Sequence, residues 1–180
     1  VLDTPAVPWS QGLALEEEPI RALASRLMTV AAVQEREPRR RIFLSRRSGH
    51  RGLRNEKALA AIARGRGLEV IDPSQLSWAE QVRTFAAAQL VVGAGGAVMA
   101  NYVFMPPGSY AISLISDALD QFVLPAVVAN LGGARFRSIV GRANRDLDRS
   151  QSRLHWMHGD FRVPERVFES ELDLILTELT

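Results

Sequence analysis

Short apolar runs that alternate with amphipathic stretches constrain the fold of this chain more than any other sequence feature. Strands are predicted at Arg41–Ser45, Leu68–Ile71, Leu90–Val92, Tyr110–Leu114 and Phe136–Val140. Helices are predicted at Glu16–Gln34, Asn55–Arg64, Ser77–Ala88, Ala97–Val103, Asp117–Leu131 and Pro164–Leu179. Strands that are apolar throughout are typical of parallel sheets covered by helices on both faces. Because parallel crossovers are right-handed, the pattern predicts an α/β fold with a Rossmann-like, doubly wound parallel sheet.

Length and composition favour one domain. The 180 residues are 47% hydrophobic and 23% charged, an ordinary globular balance that suffices for a single core. We predict a linker or N-terminal arm at residues 1–15, which carry Pro5 and Pro8 without periodicity, and one domain at residues 16–180. Residues 142–159 are polar and irregular. The first residue is Val1 rather than a methionine, which is compatible with a start inside a longer protein.

Several function classes are disfavoured by composition. Cysteine is absent, and His50, His155 and His158 show no metal-binding spacing, so neither a disulfide framework nor a zinc site is expected. No apolar run approaches the roughly 20 residues of a membrane-spanning helix. The basic residues at 39–54 lack interleaved aromatic residues for base stacking, so nucleic acid is not an expected partner. The predominance of arginine over lysine indicates a GC-rich bacterial genome, and we expect a cytoplasmic location.

A glycine turn is the strongest local motif. Gly93-Ala94-Gly95-Gly96-Ala97 follows a buried strand and precedes a predicted helix. Glycines let the backbone approach a ligand closely, and a helix N-terminus offers N–H groups to a phosphate. The dinucleotide fingerprint is incomplete, because Val98 stands where its third glycine belongs. A tight turn without any ligand is the alternative.

Arginines follow the first predicted strand. Arg46 and Arg47 come directly after it, and guanidinium groups suit bidentate phosphate binding. Ligands of doubly wound sheets bind beyond the carboxyl ends of the strands, so these arginines and the glycine turn are predicted to face one site. A solvated basic loop is the alternative. Glu56 either contacts a ribose or begins a helix, Glu80 completes a capping box with Ser77, and no general base is identified.

Read in order, these segments resemble the C-terminal part of glycosyltransferase family 61, known also from bacterial capsular-polysaccharide biosynthesis proteins. The resemblance covers about residues 41–114. Its stretches are Arg41–Arg47, Arg54–Glu56, Gly67–Val70, Leu76–Gln81, Phe85, Val92–Ala97, Asn101 and Phe104–Gly108.

The resemblance implies the nucleotide-sugar-binding half of a two-domain GT-B transferase that needs no metal and no other cofactor. The glycan acceptor and the catalytic base are then expected from an N-terminal domain that this chain lacks. Carried over by position, the donor-site residues are Arg46, Arg47, Asn55, Glu56, Glu80, Gln81, Gly93, Gly95, Gly96, Ala97 and Asn101. Of these, Arg46 is expected to contact the donor phosphates.

One position departs from the family pattern. The family reads Gly-x-His-Gly-Ala at the turn, and this chain has Gly95 in place of the histidine. The alternative function is therefore a catalytically inactive binding or assembly domain derived from such a transferase. An NAD-dependent oxidoreductase is disfavoured, because no strand-end acidic residue follows the turn at the spacing that ribose binding requires.

Overall fold

A computed structural model of the chain describes residues 16–34, 38–46, 52–119, 123–143 and 159–179. The apolar runs form a six-stranded sheet in the order β2-β1-β3-β4-β5-β6. Its strands are β1 (Arg40–Leu44), β2 (Glu69–Ile71), β3 (Ala88–Ala94), β4 (Tyr110–Ser116), β5 (Arg135–Ala143) and β6 (Phe161–Arg162). The first five are mutually parallel, and β6 runs antiparallel to β5. The predicted mixed α/β fold with a mostly parallel sheet is confirmed and is consistent with a Rossmann-like fold.

Helices cover both faces of the sheet. They are α1 (Glu17–Val30), α2 (Glu56–Gly65), α3 (Trp78–Ala86), α4 (Leu124–Gly132) and α5 (Glu165–Glu178), with 3-10 helices at Pro73–Gln75, Ala97–Phe104 and Asp117–Leu119. Successive residues of β1 point into different cores. Phe43 packs with α2 and α5, whereas Ile42 packs with α1 and α3. The continuous apolar runs are therefore explained by burial on both sides.

The helix predicted at Asp117–Leu131 is confirmed in its C-terminal part, which is α4, but its predicted start is wrong. The chain instead forms a 3-10 turn at Asp117–Leu119, and α4 begins only at Leu124. Pro125 lies in the first turn of α4, where its missing N–H costs nothing, whereas inside a longer helix it would remove a hydrogen bond. Asp117 is held from elsewhere, since its Oδ1 accepts the backbone N–H of Ala143 at 2.8 Å.

Other boundaries also differ from the predicted ones. The segment after the glycine turn is a 3-10 helix rather than an α-helix. Strand β3 extends at both ends, so α3 ends at Ala86 instead of Ala88. Strand β5 continues through Arg142 and Ala143, which were expected to be irregular, and β6 was not predicted because two residues carry no periodicity. The predicted arm at residues 1–15 lies outside the described residues and stays a prediction.

Contacts distant in sequence attach α5 to the rest of the fold. The rings of Phe43 and Phe168 meet edge to face, with centroids 6.1 Å apart. At the surface, Arg66, the residue that follows α2, forms ion pairs with Glu169 and Asp173 of α5. Helix α5 is thus part of the domain that carries the site. Within the described ranges, no helix has both the length and the apolar character needed to cross a membrane.

Candidate functional site

The strand order creates a crevice between β1 and β3. From β1 the chain crosses to β2 on one side, and from β3 it crosses to β4 on the other. At such a switch point the connections diverge, which leaves an opening beyond the carboxyl ends of the two strands. A cavity of about 290 Å³ lies there. Its walls include Ser45 and Arg46 after β1, residues 72–74 after β2, and residues 96–98 after β3.

Arg46 bridges the two sides of this crevice. Its Nη1 donates a hydrogen bond to the Gly95 carbonyl oxygen at 2.5 Å. The guanidinium also lies against Gly96, where a methyl group on the backbone would be 3.0 Å from Nη1 and 3.2 Å from Cζ. Arg46 and the glycine turn, 49 residues apart in sequence, therefore lie at one site, as the sequence predicts.

Glu56 anchors the backbone of Arg46. It is the first residue of α2, and both of its carboxylate oxygens accept the Arg46 backbone N–H, each at 3.1 Å. Burial raises the pKa of the Glu56 carboxyl, the Asp72 charge raises it further, and the bond from Arg46 opposes the rise. Of the two roles left open by the sequence, beginning a helix is the one seen. Glu56 positions Arg46 and is not among the residues that line the cavity.

The glycines of the turn differ in their surroundings. Gly93 belongs to β3 and pairs in register with Leu44, and a methyl group at Gly93 would lie 2.7 Å from Leu44 Cβ. Gly95 donates its N–H to the Leu114 carbonyl at 2.9 Å, and a methyl group there would lie at an ordinary 3.4 Å from Ile115 Cγ2. Side chains at positions 95 and 96 would thus face opposite ways, toward β4 and toward Arg46 respectively.

We expect Gly93→Ala to lower the free energy of unfolding by about 1 kcal/mol or more, because two Cβ atoms held by adjacent strands cannot separate without backbone movement. Gly95→Ala is the matched control and is expected to change stability by less than about 0.5 kcal/mol. Urea denaturation of the two variants measures the difference. Equal losses would contradict the assignment of Gly93 to strand packing.

Gln81 and Asn101 brace one wall of the cavity. Gln81 Nε2 donates to the carbonyl oxygens of Pro73 at 3.1 Å and Leu76 at 3.2 Å. Asn101 Nδ2 donates to Gln81 Oε1 at 2.9 Å. Neither amide lines the cavity. They connect the 3-10 helix after the glycine turn to α3 and to the loop that carries Pro73, so they position that loop.

Glu80 and Asn55 are engaged in local structure. The predicted capping box is confirmed, since Ser77 Oγ accepts the Glu80 N–H and the Glu80 carboxylate accepts the Ser77 N–H. The Ser77 hydroxyl, which also donates to this carboxylate at 2.6 Å, and the Ser77 N–H lower the pKa of the exposed Glu80 carboxyl. Asn55 Nδ2 donates to the Val163 carbonyl at 2.7 Å and to Glu165 at 2.9 Å, toward α5. Arg47, predicted beside Arg46, lies outside the described residues.

Residues 72–74 form a wall of the cavity that sequence reasoning missed. Asp72 Oδ1 accepts the Ser74 N–H at 3.0 Å and the Ser74 hydroxyl at 2.6 Å, which holds the loop in a tight turn. Asp72 follows the end of a parallel strand, as Arg46 does, but its sequence position is also typical of a helix cap, and its bond from the Ser74 N–H shows that role. In the part of the chain that the structure describes, no group of three or more acidic or histidine side chains is arranged to hold a metal ion.

The segment that contains this site matches a known protein family. The family model described as Glycosyltransferase 61 matches residues 2–112, which include β1 to β3, the glycine turn and part of β4. A xylan glycosyltransferase of Arabidopsis thaliana is 31% identical over 92 residues, which are 49% of this chain and 19% of that protein. The chain thus spans about a fifth of the length of this plant relative. The chain belongs to the glycosyltransferase 61 family, because the family model covers more than half of the residues of the chain.

Proposed function

We propose that this chain is the donor-binding domain of a glycosyltransferase that moves a sugar from a nucleotide-sugar to a polysaccharide or glycan acceptor. The observation that carries the proposal is Arg46, a permanent positive charge at a cavity on the topological switch point. Membership of the family supports the class of reaction. In this proposal the enzyme has a GT-B arrangement of two domains, and the second domain, outside this chain, binds the acceptor and supplies the catalytic base.

The chemistry requires a group that stabilises the departing nucleoside diphosphate. Arg46 already donates to a neutral carbonyl oxygen, that of Gly95. A phosphate oxygen is a better acceptor, because charge-assisted hydrogen bonds are roughly twice as strong as neutral ones. The donor would therefore draw the guanidinium from the turn onto its phosphates. In that position its positive charge would stabilise the leaving group as the bond between the sugar and the diphosphate breaks.

Calorimetric titration of the chain with UDP-, GDP- and CMP-sugars tests the proposal. We expect one nucleotide class to bind, with the same dissociation constant in EDTA and in magnesium, because Arg46 supplies the positive charge that a metal would otherwise provide. Absence of binding to all three classes would remove the donor site. Binding that is lost in EDTA would remove the metal-free mechanism.

A catalytically inactive binding domain is the second candidate, and Gly95 favours it. The fold accepts a side chain at this position, since its Cβ would make only ordinary contacts with Ile115 and with the Leu114 carbonyl. The side chain would leave the turn on the β4 side, opposite Arg46.

We therefore expect Gly95→His to fold and to bind donor. If the domain derives from an active transferase, the variant should release sugar from its donor faster than the wild type, because the imidazole adds a donor group beside the turn. Liquid chromatography of the nucleotide product measures the rate. A gain in Gly95→His would support this candidate, an inactive domain derived from a transferase, whereas no gain alongside unchanged donor affinity would contradict that derivation.

A further inference from the structure

Trp78 is a large aromatic side chain that is not among the residues lining the cavity. It is the first residue of α3 and is 54% exposed. Its spacing of four and seven residues places it on the same helix face as Val82 and Phe85, which are 3% and 0% exposed. The face of α3 that is buried at Val82 and Phe85 is therefore exposed at Trp78, one turn closer to the start of the helix.

The cavity and Trp78 share one edge of the sheet. Strand β2 ends at Ile71 and α3 begins at Trp78, so the start of α3 lies at the carboxyl edge where the crevice opens. Helical side chains lean toward the N-terminus of their helix, which directs the indole toward this edge. The Gln81 amide ties the first turn of α3 to the carbonyl of Pro73, a wall residue. The first turn of α3, which carries Trp78, is thus attached to the cavity wall through the hydrogen bonds of Gln81.

Charges of both signs line the cavity. Arg46 stands at the β1–β3 side, and Asp72 stands at the end of β2. A carboxylate repels phosphate and accepts hydrogen bonds from hydroxyl groups, which is how strand-end acidic residues bind ribose. A donor that places its diphosphate at Arg46 is therefore oriented by Asp72, with its ribose toward β2 and α3.

The size of the cavity also bears on how a donor would be oriented. About 290 Å³ is at the low end for ligand pockets, so a whole nucleotide-sugar must extend beyond it. On the β2 side, the chain continues past residues 72–75 into the start of α3, where the indole of Trp78 is exposed. On the β4 side, the turn presents Gly95 and Ile115.

We propose that the nucleoside half of the donor binds on the β2 side, with its ribose hydroxyls at Asp72 and its base stacked on Trp78. The transferred sugar then lies on the β4 side, above Gly95. This orientation rests on the proposed donor-binding function and adds a direction to it. Trp78 acts as a binding residue for the base and takes no part in the chemical step.

Calorimetry with UDP, GDP, CDP and inorganic pyrophosphate tests the orientation. We expect Trp78→Ala to weaken binding of the nucleoside diphosphates by about 5- to 100-fold and to leave pyrophosphate binding unchanged, because base stacking is lost and the phosphate contacts are not. Trp78→Phe, which retains a smaller ring, should lose less. Asp72→Asn should weaken the nucleoside diphosphates but not pyrophosphate. Leu174→Ala on α5, which removes an apolar side chain of 48% exposure, is the matched control.

A fluorescence titration gives a second measurement that keeps the indole in place. The bound nucleoside diphosphate should quench part of the tryptophan emission of the wild type, and Trp78→Phe should abolish that part. Unchanged nucleoside diphosphate affinity in Trp78→Ala, or an equal loss for pyrophosphate, would overturn the orientation. Wild-type binding of pyrophosphate without any preference for nucleoside diphosphates would also overturn it. If the wild type binds none of the four probes and no nucleotide-sugar, the donor-binding function itself fails.

Discussion

Replacing Arg46 with alanine is expected to weaken nucleotide-sugar binding by about 10- to 100-fold, since a hydrogen bond to a charged group contributes about 1.5–3 kcal/mol. The guanidinium of Arg46 is a permanent cation on the cavity wall, and Glu56 holds the backbone of this residue. Calorimetric titration with the nucleotide-sugar that binds the wild type measures the change. Thermal unfolding of the variant separates lost binding from a disturbed glycine turn, because Arg46 also bonds to Gly95.

Two further variants make this result specific. Arg46→Lys keeps the positive charge but loses the planar fork, so its affinity should lie between those of the wild type and Arg46→Ala. Arg166→Ala removes an exposed arginine from α5 and should bind donor like the wild type. If Arg46→Ala keeps full affinity, or if Arg166→Ala loses as much, Arg46 does not bind the phosphates.

Phe43→Ala is expected to lower the free energy of unfolding by about 3–5 kcal/mol, because it empties a large site in the core. Phe43 is 0% exposed and meets Phe168 of α5 edge to face. Guanidinium denaturation followed by circular dichroism measures the loss. Leu174 is an exposed residue of α5, the helix that carries Phe168, and Leu174→Ala should change the free energy of unfolding by less than about 0.5 kcal/mol. A loss below about 1 kcal/mol in Phe43→Ala would mean that α5 does not pack against β1 as described.

The parallel strands were predictable because their signal is local. Ile42, Phe43 and Leu44 are buried on both faces of the sheet, so each must be apolar, and a run of such residues is visible without the fold. The capping box of Ser77 and Glu80 spans three residues and was predicted for the same reason. The start of the helix predicted at Asp117–Leu131 was misplaced, because apolar periodicity does not show that Pro125 fits only in the first turn of a helix.

The candidate site was predictable in part. Each of its two main elements, Arg46 and the glycine turn, follows an apolar run, and strand ends are where doubly wound sheets bind ligands. Residue type did not reveal the direction of Asn55, whose amide reaches Val163, 108 residues away in sequence. The family resemblance named Gly93 as a donor-site residue, but its contact with Leu44 depends on the register of β1 and β3.

The amino-acid order alone thus specifies the elements of this protein: which runs are strands, where a phosphate-compatible turn lies, and which arginine follows a strand. Strand order and register were decided by packing across the whole chain. Only the adjacency of β1 and β3 brings Arg46 to Gly95, and only the placement of β2 beside β1 adds Asp72 to the cavity. These contacts join residues that are far apart in sequence. The contact energies therefore depend on the assembled core and cannot be predicted from a local sequence pattern.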